Sequence, residues 1–171
     1  MKSTPQLGDF CLVRTPDLGG RLIRIGTDSY VNHAAVYVGD GRVIEARPSG
    51  AGYANVTQYE NPKYYLAWTT GLFNLTDQQR SKIVSWSIAQ IGIKYSWLDI
   101  VALGFRCFNL GFPNLVEARI ARSDKEICSQ LVDEAYAFAG VHLFNDGRQP
   151  HDVTPGDLWE LYLQLNSLRK P

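Results

Sequence analysis

Cysteine, methionine and histidine are all scarce in this 171-residue chain, at three, one and three residues. The cysteines, Cys11, Cys107 and Cys128, are odd in number and far apart. They match neither a disulfide framework nor the paired ligand spacing of a zinc site, and at least one thiol stays free. An excess of either charge is also missing, with 17 basic against 17 acidic residues and no basic block. That removes the electrostatic footprint of a nucleic-acid binder. Long apolar runs are missing too. The most apolar region, "WLDIVALGFRCFNLGFPNLV" (97–116), is broken by Asp99, Arg106, Asn109 and Pro113, which a spanning helix of about 20 residues would rarely tolerate. We expect no transmembrane segment and read 97–116 as a buried helix or a peripheral membrane contact. The opening "MKSTPQLGDF" is polar and lacks the apolar stretch of a secretory signal. With free thiols, this places the expected protein in a reducing, cytoplasmic setting. No repeat or low-complexity linker divides the sequence, so one domain over 1–171 is expected.

What is present falls into two halves. "GDFCLVRT" (8–15) reads as a first strand. "HAAVYVG" and "RVIEAR" read as a hairpin, and a further strand rich in Tyr and Trp is expected near 64–69. The segment "RLIRIGTDSY" (21–30) is ambiguous between helix and strand. After residue 75 the patterns turn helical. Thr76 and Gln79 form a capping box ahead of an apolar stripe of Ile83, Val84, Ile88 and Ile91, with Gly92 at the C-terminal cap. Ser123 and Glu126 suit a cap for "DKEICSQLVDEAYAFAG", where Cys128, Leu131, Val132, Ala135 and Ala139 share a face. Thr154 and Pro155 open a last helix. Strands first and helices second predict an α+β fold.

The hairpin "NHAAVYVGDGRVIEA" (32–46) poses the functional question, because a strand that only filled a core would need neither His33 nor Glu45. A three-residue loop Gly39-Asp40-Gly41 would set Val38 opposite Arg42 and Ala35 opposite Glu45. His33 would then lie one diagonal step from Glu45 on the same face, within side-chain reach. A two-residue loop pairing Gly39 with Arg42 would put them on opposite faces. A carboxylate beside His33 fixes its tautomer and stabilises its cation. Cys128 falls in the first turn or two of a helix, where backbone N–H groups and the helix dipole favour a thiolate and an oxyanion. Cys, His and an orienting carboxylate are the nucleophile, base and orienter of acyl transfer. By contrast His142 and His151 lie in turn segments and read as exposed, and Cys11 and Cys107 as small buried hydrophobes. The tyrosines at 53, 59, 64 and 65 read as packing residues more readily than as a groove.

Four segments carry a resemblance. "GDF" (8–10), "TDSYVNHAAVYVGDGRVIEARPSG" (27–50), "IGIKYSW" (91–97) and "ICSQLVDEAYAFAG" (127–140) are similar, in this order, to the circularly permuted NlpC-type papain-like amidases. That group includes the YiiX-type proteins and is related to the lecithin:retinol acyltransferase family. "TPGDLW" (154–159) resembles a helix start found there. The permuted group carries its His before its Cys, as this chain does.

The resemblance implies an antiparallel sheet with the Cys helix packed against it. It matches Cys128 to the nucleophile, His33 to the base and Glu45 to the third, polar position. Tyr95, and Ser129 beside the nucleophile, would line the substrate and oxyanion site. Ser96 stands where an Asp is common, and Gln130 where a Glu is frequent. Both departures bear on substrate class more than on chemistry. No metal or organic cofactor is implied. The expected activity is hydrolysis of an amide or ester through a thioester acyl-enzyme, on a peptide, small-molecule or lipid-like acyl substrate, in a protein of bacterial or phage origin. Two alternatives are an acyltransferase using the same triad and a binding module that keeps the fold without turnover.

Overall fold

The computed structural model describes residues 4–26, 28–47, 50–93 and 128–169. Among these, five strands form one antiparallel sheet: β1 (Phe10–Arg14), β2 (His33–Gly39), β3 (Arg42–Arg47), β4 (Gly50–Asn55) and β5 (Tyr65–Trp68). Their spatial order is β4-β3-β2-β1-β5, so β2 occupies the centre. That position explains its lack of charge: Ala34, Ala35 and Val36 are fully buried, because both faces of a central strand are covered. Among the described residues four helices accompany the sheet: α1 (Leu18–Gly26), α2 (Asp77–Ala89), α3 (Cys128–Phe138) and α4 (Pro155–Leu168). The expected α+β class holds. The ambiguous 21–30 segment belongs to α1 over its first six residues, a helix inserted between β1 and β2.

Alternation along the strands divides the core. Phe10, Leu12, Ala34, Val36 and Ile44 point to the helical side. There they meet Ile83 of α2, Leu131, Val132, Ala135 and Tyr136 of α3, and Leu158 of α4. Cys11, Val13, Ala35 and Val43 point to a smaller second core closed by Ala54, Tyr59 and the rings of Tyr37, Tyr64 and Trp68.

Two anchors hold α2 and α3 to the start of β1. Asp9, only 2% exposed, accepts from Arg80 Nη1 and from the backbone N–H of Gln6, both at 2.9 Å. The Tyr136 hydroxyl donates to the carbonyl of Gly8 at 2.9 Å. Gly8 itself has φ +79°, and a Cβ there would lie 3.3 Å from the Arg80 Cα, so the leading Gly-Asp serves helix docking. The expected capping box at Thr76–Gln79 forms, and Thr154, which opens α4 as expected, makes a second one with Asp157. The stripe expected on α2 is only partly right. Ile83 and Ser87 are buried while Ile88 is 39% and Ile91 40% exposed. Ser87 can face the core because its hydroxyl bonds back to the Ile83 carbonyl at 2.8 Å, which leaves no unpaired polar group.

The hairpin tip corrects the expected loop. Gly39 pairs directly with Arg42 around a two-residue Asp40-Gly41 turn. Both turn residues have positive φ (51° and 68°), the geometry that suits twisted strands. A bulge between Tyr37 and Gly39 then shifts the register, so that Tyr37 pairs with Val43 and Val36 with Ile44. The bulge undoes the one-residue slip of the shorter loop. His33 and Glu45 therefore share a face, as a three-residue loop would also have arranged. Among the described helices none is long and apolar enough to cross a membrane. Residues 97–116, the Ser123–Glu126 cap and Cys107 lie outside the described residues.

Candidate active site

Three elements converge at the N-terminal end of β2. His33 opens that strand. Glu45 comes from the neighbouring β3, and Cys128 is the first described residue of α3. The start of β2 is held firmly by the residue before the histidine. The backbone N–H of Asn32 donates to Val13 O at 3.0 Å. Its side-chain Oδ1 accepts from the Thr15 backbone and from Arg24 Nη1, and its Nδ2 donates to Thr15 Oγ1, all at 2.9 Å. Asn32 is 5% exposed with its polar atoms paired, so its network fixes where His33 begins.

His33 Nε2 lies 2.7 Å from Glu45 Oε2. Glu45 is held ionised and can only accept, so Nε2 carries the proton and donates it. Nδ1 is then the ring nitrogen left for Cys128, with whose thiol His33 shares a side-chain hydrogen bond. The chain Cys128–His33–Glu45 is thus continuous. The side chains of His33 and Glu45 are 15% and 3% exposed, and Cys128 is 9% exposed. The nucleophile is sheltered but not sealed.

The electrostatics of the three groups are mutually consistent. Burial opposes ionisation of Cys128. The His33 charge and hydrogen bond, together with the backbone groups of Ala34 and Ser129, outweigh it and hold the thiol below its ordinary value. Burial likewise opposes the His33 cation, but Cys128 and Glu45 outweigh it and raise the imidazole well above its ordinary value. Burial would raise Glu45, yet His33 and Arg47 pull it below the usual carboxylate range. A thiolate–imidazolium pair with a fixed carboxylate behind it is the state this arrangement favours.

Glu45 has two further donors that sequence patterns did not single out. The Tyr59 hydroxyl donates to Oε2 and Arg47 Nε to Oε1. Tyr59 had read as packing. It ends a short 3-10 turn, Val56–Tyr59, that follows β4, a strand without a sequence signal of its own. Arg47, two residues after Glu45 on the same strand, is the one partner that a spacing argument could have found.

Ser129 lies where expected, after the nucleophile, but its hydroxyl is fully buried and donates to Val153 O at 2.5 Å. Its backbone group, not its side chain, faces the thiolate. Tyr95 lies outside the described residues. Cys11 is fully buried in the second core, where burial and the nearby Glu45 charge raise its thiol far above the ordinary value. His142 and His151 are exposed, as expected.

No family model matches the chain, and no curated protein matches it. Among solved structures, the fold resembles the "metalloprotein yiiX from Escherichia coli O157:H7, DUF1105", with a TM-score of 0.54 and 18% identity over 82% of this chain and 70% of that one. At that identity the likeness concerns the fold alone.

Proposed function

We propose that this chain is a thiol hydrolase of the permuted papain-like, NlpC-type kind, close in plan to the YiiX-type proteins. The observation that carries the reading is the continuous line from Cys128 through His33 to Glu45, with Glu45 buried and ionised behind the imidazole. In the proposed reaction the Cys128 thiolate attacks an amide or ester carbonyl. The backbone N–H groups of Ser129 and Ala34 are placed to stabilise negative charge there. His33 gives its Nδ1 proton to the leaving amine or alcohol, and a thioester acyl-enzyme remains. His33 then takes a proton from water, which attacks the thioester and restores the thiol pair. Transfer to an alcohol or amine would differ only in what replaces water.

The structural neighbour is described as a metalloprotein. In this chain no three His, Cys, Asp or Glu side chains among the described residues are grouped to hold a metal ion. Cys128 and His33 bond each other, and both oxygens of Glu45 already accept from donors. No step is routed through a metal.

The test is alkylation of the purified chain by iodoacetamide across pH 4–9, with the labelled cysteine mapped by peptide mass, for wild type and His33→Ala. The expected result is fast labelling of Cys128 at pH 5–7 that disappears without His33. Labelling of Cys128 only above about pH 8, as for an ordinary thiol, would refute the reading and favour a binding module.

A further inference from the structure

We propose that Tyr59 is a positioning residue for this site. Its phenol, donated to the same Glu45 oxygen that His33 uses, holds Glu45 charged and turned toward His33. The inference rests on the thiol-hydrolase reading and extends it to a residue outside the triad.

The place of the Tyr59 ring is set without its hydroxyl. The 3-10 turn that ends in Tyr59 is capped by Asn55, whose side chain accepts from the Thr57 N–H at 3.1 Å. The turn is tied to the hairpin tip by Val56 N–H donating to Gly41 O at 2.8 Å. The ring packs at 6.1 Å from Tyr64 and 6.2 Å from His33, in the second core. A phenylalanine would satisfy that packing. A tyrosine this deeply buried (6% exposed) needs a partner for its O–H, and its partner is the triad carboxylate.

The groups facing Glu45 and His33 are few among the described residues. The Cys11 thiol comes from β1, Arg47 from β3 itself, Cys128 from α3 and Tyr59 from the 3-10 turn. Among the described residues only Arg47 and Tyr59 donate to Glu45 besides His33. Arg47 is 42% exposed, so water and salt screen its contribution. Tyr59 is the unscreened donor. Without its hydroxyl the carboxylate protonates more readily and is free to turn off His33. The imidazolium then loses its partner at higher pH.

The experiment is the Cys128 alkylation profile of the full chain for Tyr59→Phe, Glu45→Gln and the double variant. Tyr59→Phe should move the acid limb up by about 0.5–1 pH unit, the equivalent of one net hydrogen bond, with unchanged far-UV circular dichroism. On the Glu45→Gln background the same change should add nothing. If Tyr59→Phe fails to fold, 3-fluorotyrosine placed at position 59 serves instead. Its more acidic phenol is a stronger donor and should move the limb down. A profile that superimposes on wild type in either variant overturns the proposal. So does an equal shift with and without Glu45, which would mean that the ring acts through packing. A wild type with no acid-side reactivity at Cys128 overturns the thiol-hydrolase reading itself, and this inference with it.

Discussion

Replacing Glu45 by glutamine tests the site most directly, because it keeps the shape and removes the charge. Glu45 accepts from His33, Tyr59 and Arg47, and its side chain is 3% exposed. A hydrogen bond between charged partners contributes about 1.5–3 kcal/mol. At about 1.4 kcal/mol per pKa unit, loss of the His33 bond to a full carboxylate lowers the imidazole by about 1–2 units. The equilibrium from thiol–imidazole to thiolate–imidazolium then falls about ten- to a hundredfold. The Glu45→Gln amide also turns a donor toward Arg47 or Tyr59, where a lone pair is needed. The expected alkylation profile of Glu45→Gln loses its acid-side reactivity and moves toward that of an ordinary thiol near pH 8.5, with Cys128 still the labelled residue. A Glu45→Gln profile that overlays wild type, while His33→Ala does not, would refute the coupling of Glu45 to the thiol.

Two further outcomes follow from the same groups and from the β1 anchor. Glu45 titrates below its ordinary value near 4.5 in the folded chain, so its contribution to stability is present above that pH and is lost as pH falls through the folded value. In urea unfolding, the stability gap between wild type and Glu45→Gln should be wide at pH 6 and should close toward pH 3; a gap constant with pH would show that Glu45 does not titrate as argued. Asp9→Ala leaves the largely buried Arg80 guanidinium, 13% exposed, without its ion partner. That should cost about 3–5 kcal/mol, read as a urea midpoint well below wild type, and a loss under about 1 kcal/mol would mean that solvent replaces the carboxylate.

The neighbour relations within elements were readable along the chain. The capping box at Thr76 and the helix start at Thr154-Pro155 were visible because a cap is set within a few residues. The buried face of α3 was visible because Leu131, Val132 and Ala135 repeat at helical spacing. The pairing of His33 with Glu45 followed from hairpin parity, though by a different turn: the Asp40-Gly41 turn and the bulge at Val38 cancel, and parity alone cannot distinguish that from a longer loop. β4 was not legible. "GAGYAN" has little strand propensity, and it is a strand because β3 offers an edge to which small residues fit closely. The orientation of α2 was misjudged for a similar reason. Its rotation is set by the Arg80–Asp9 pair, 71 residues apart, rather than by its own apolar stripe.

Local order thus decided which residues cap, turn and bury, since those choices depend on partners within a few positions. The meeting of Cys128 with His33, 95 residues away (128 − 33), and the Tyr59 hydroxyl on Glu45 were decided by tertiary packing alone. A buried charge takes its partners from whichever elements the core brings against it, and neither spacing nor periodicity records which those will be.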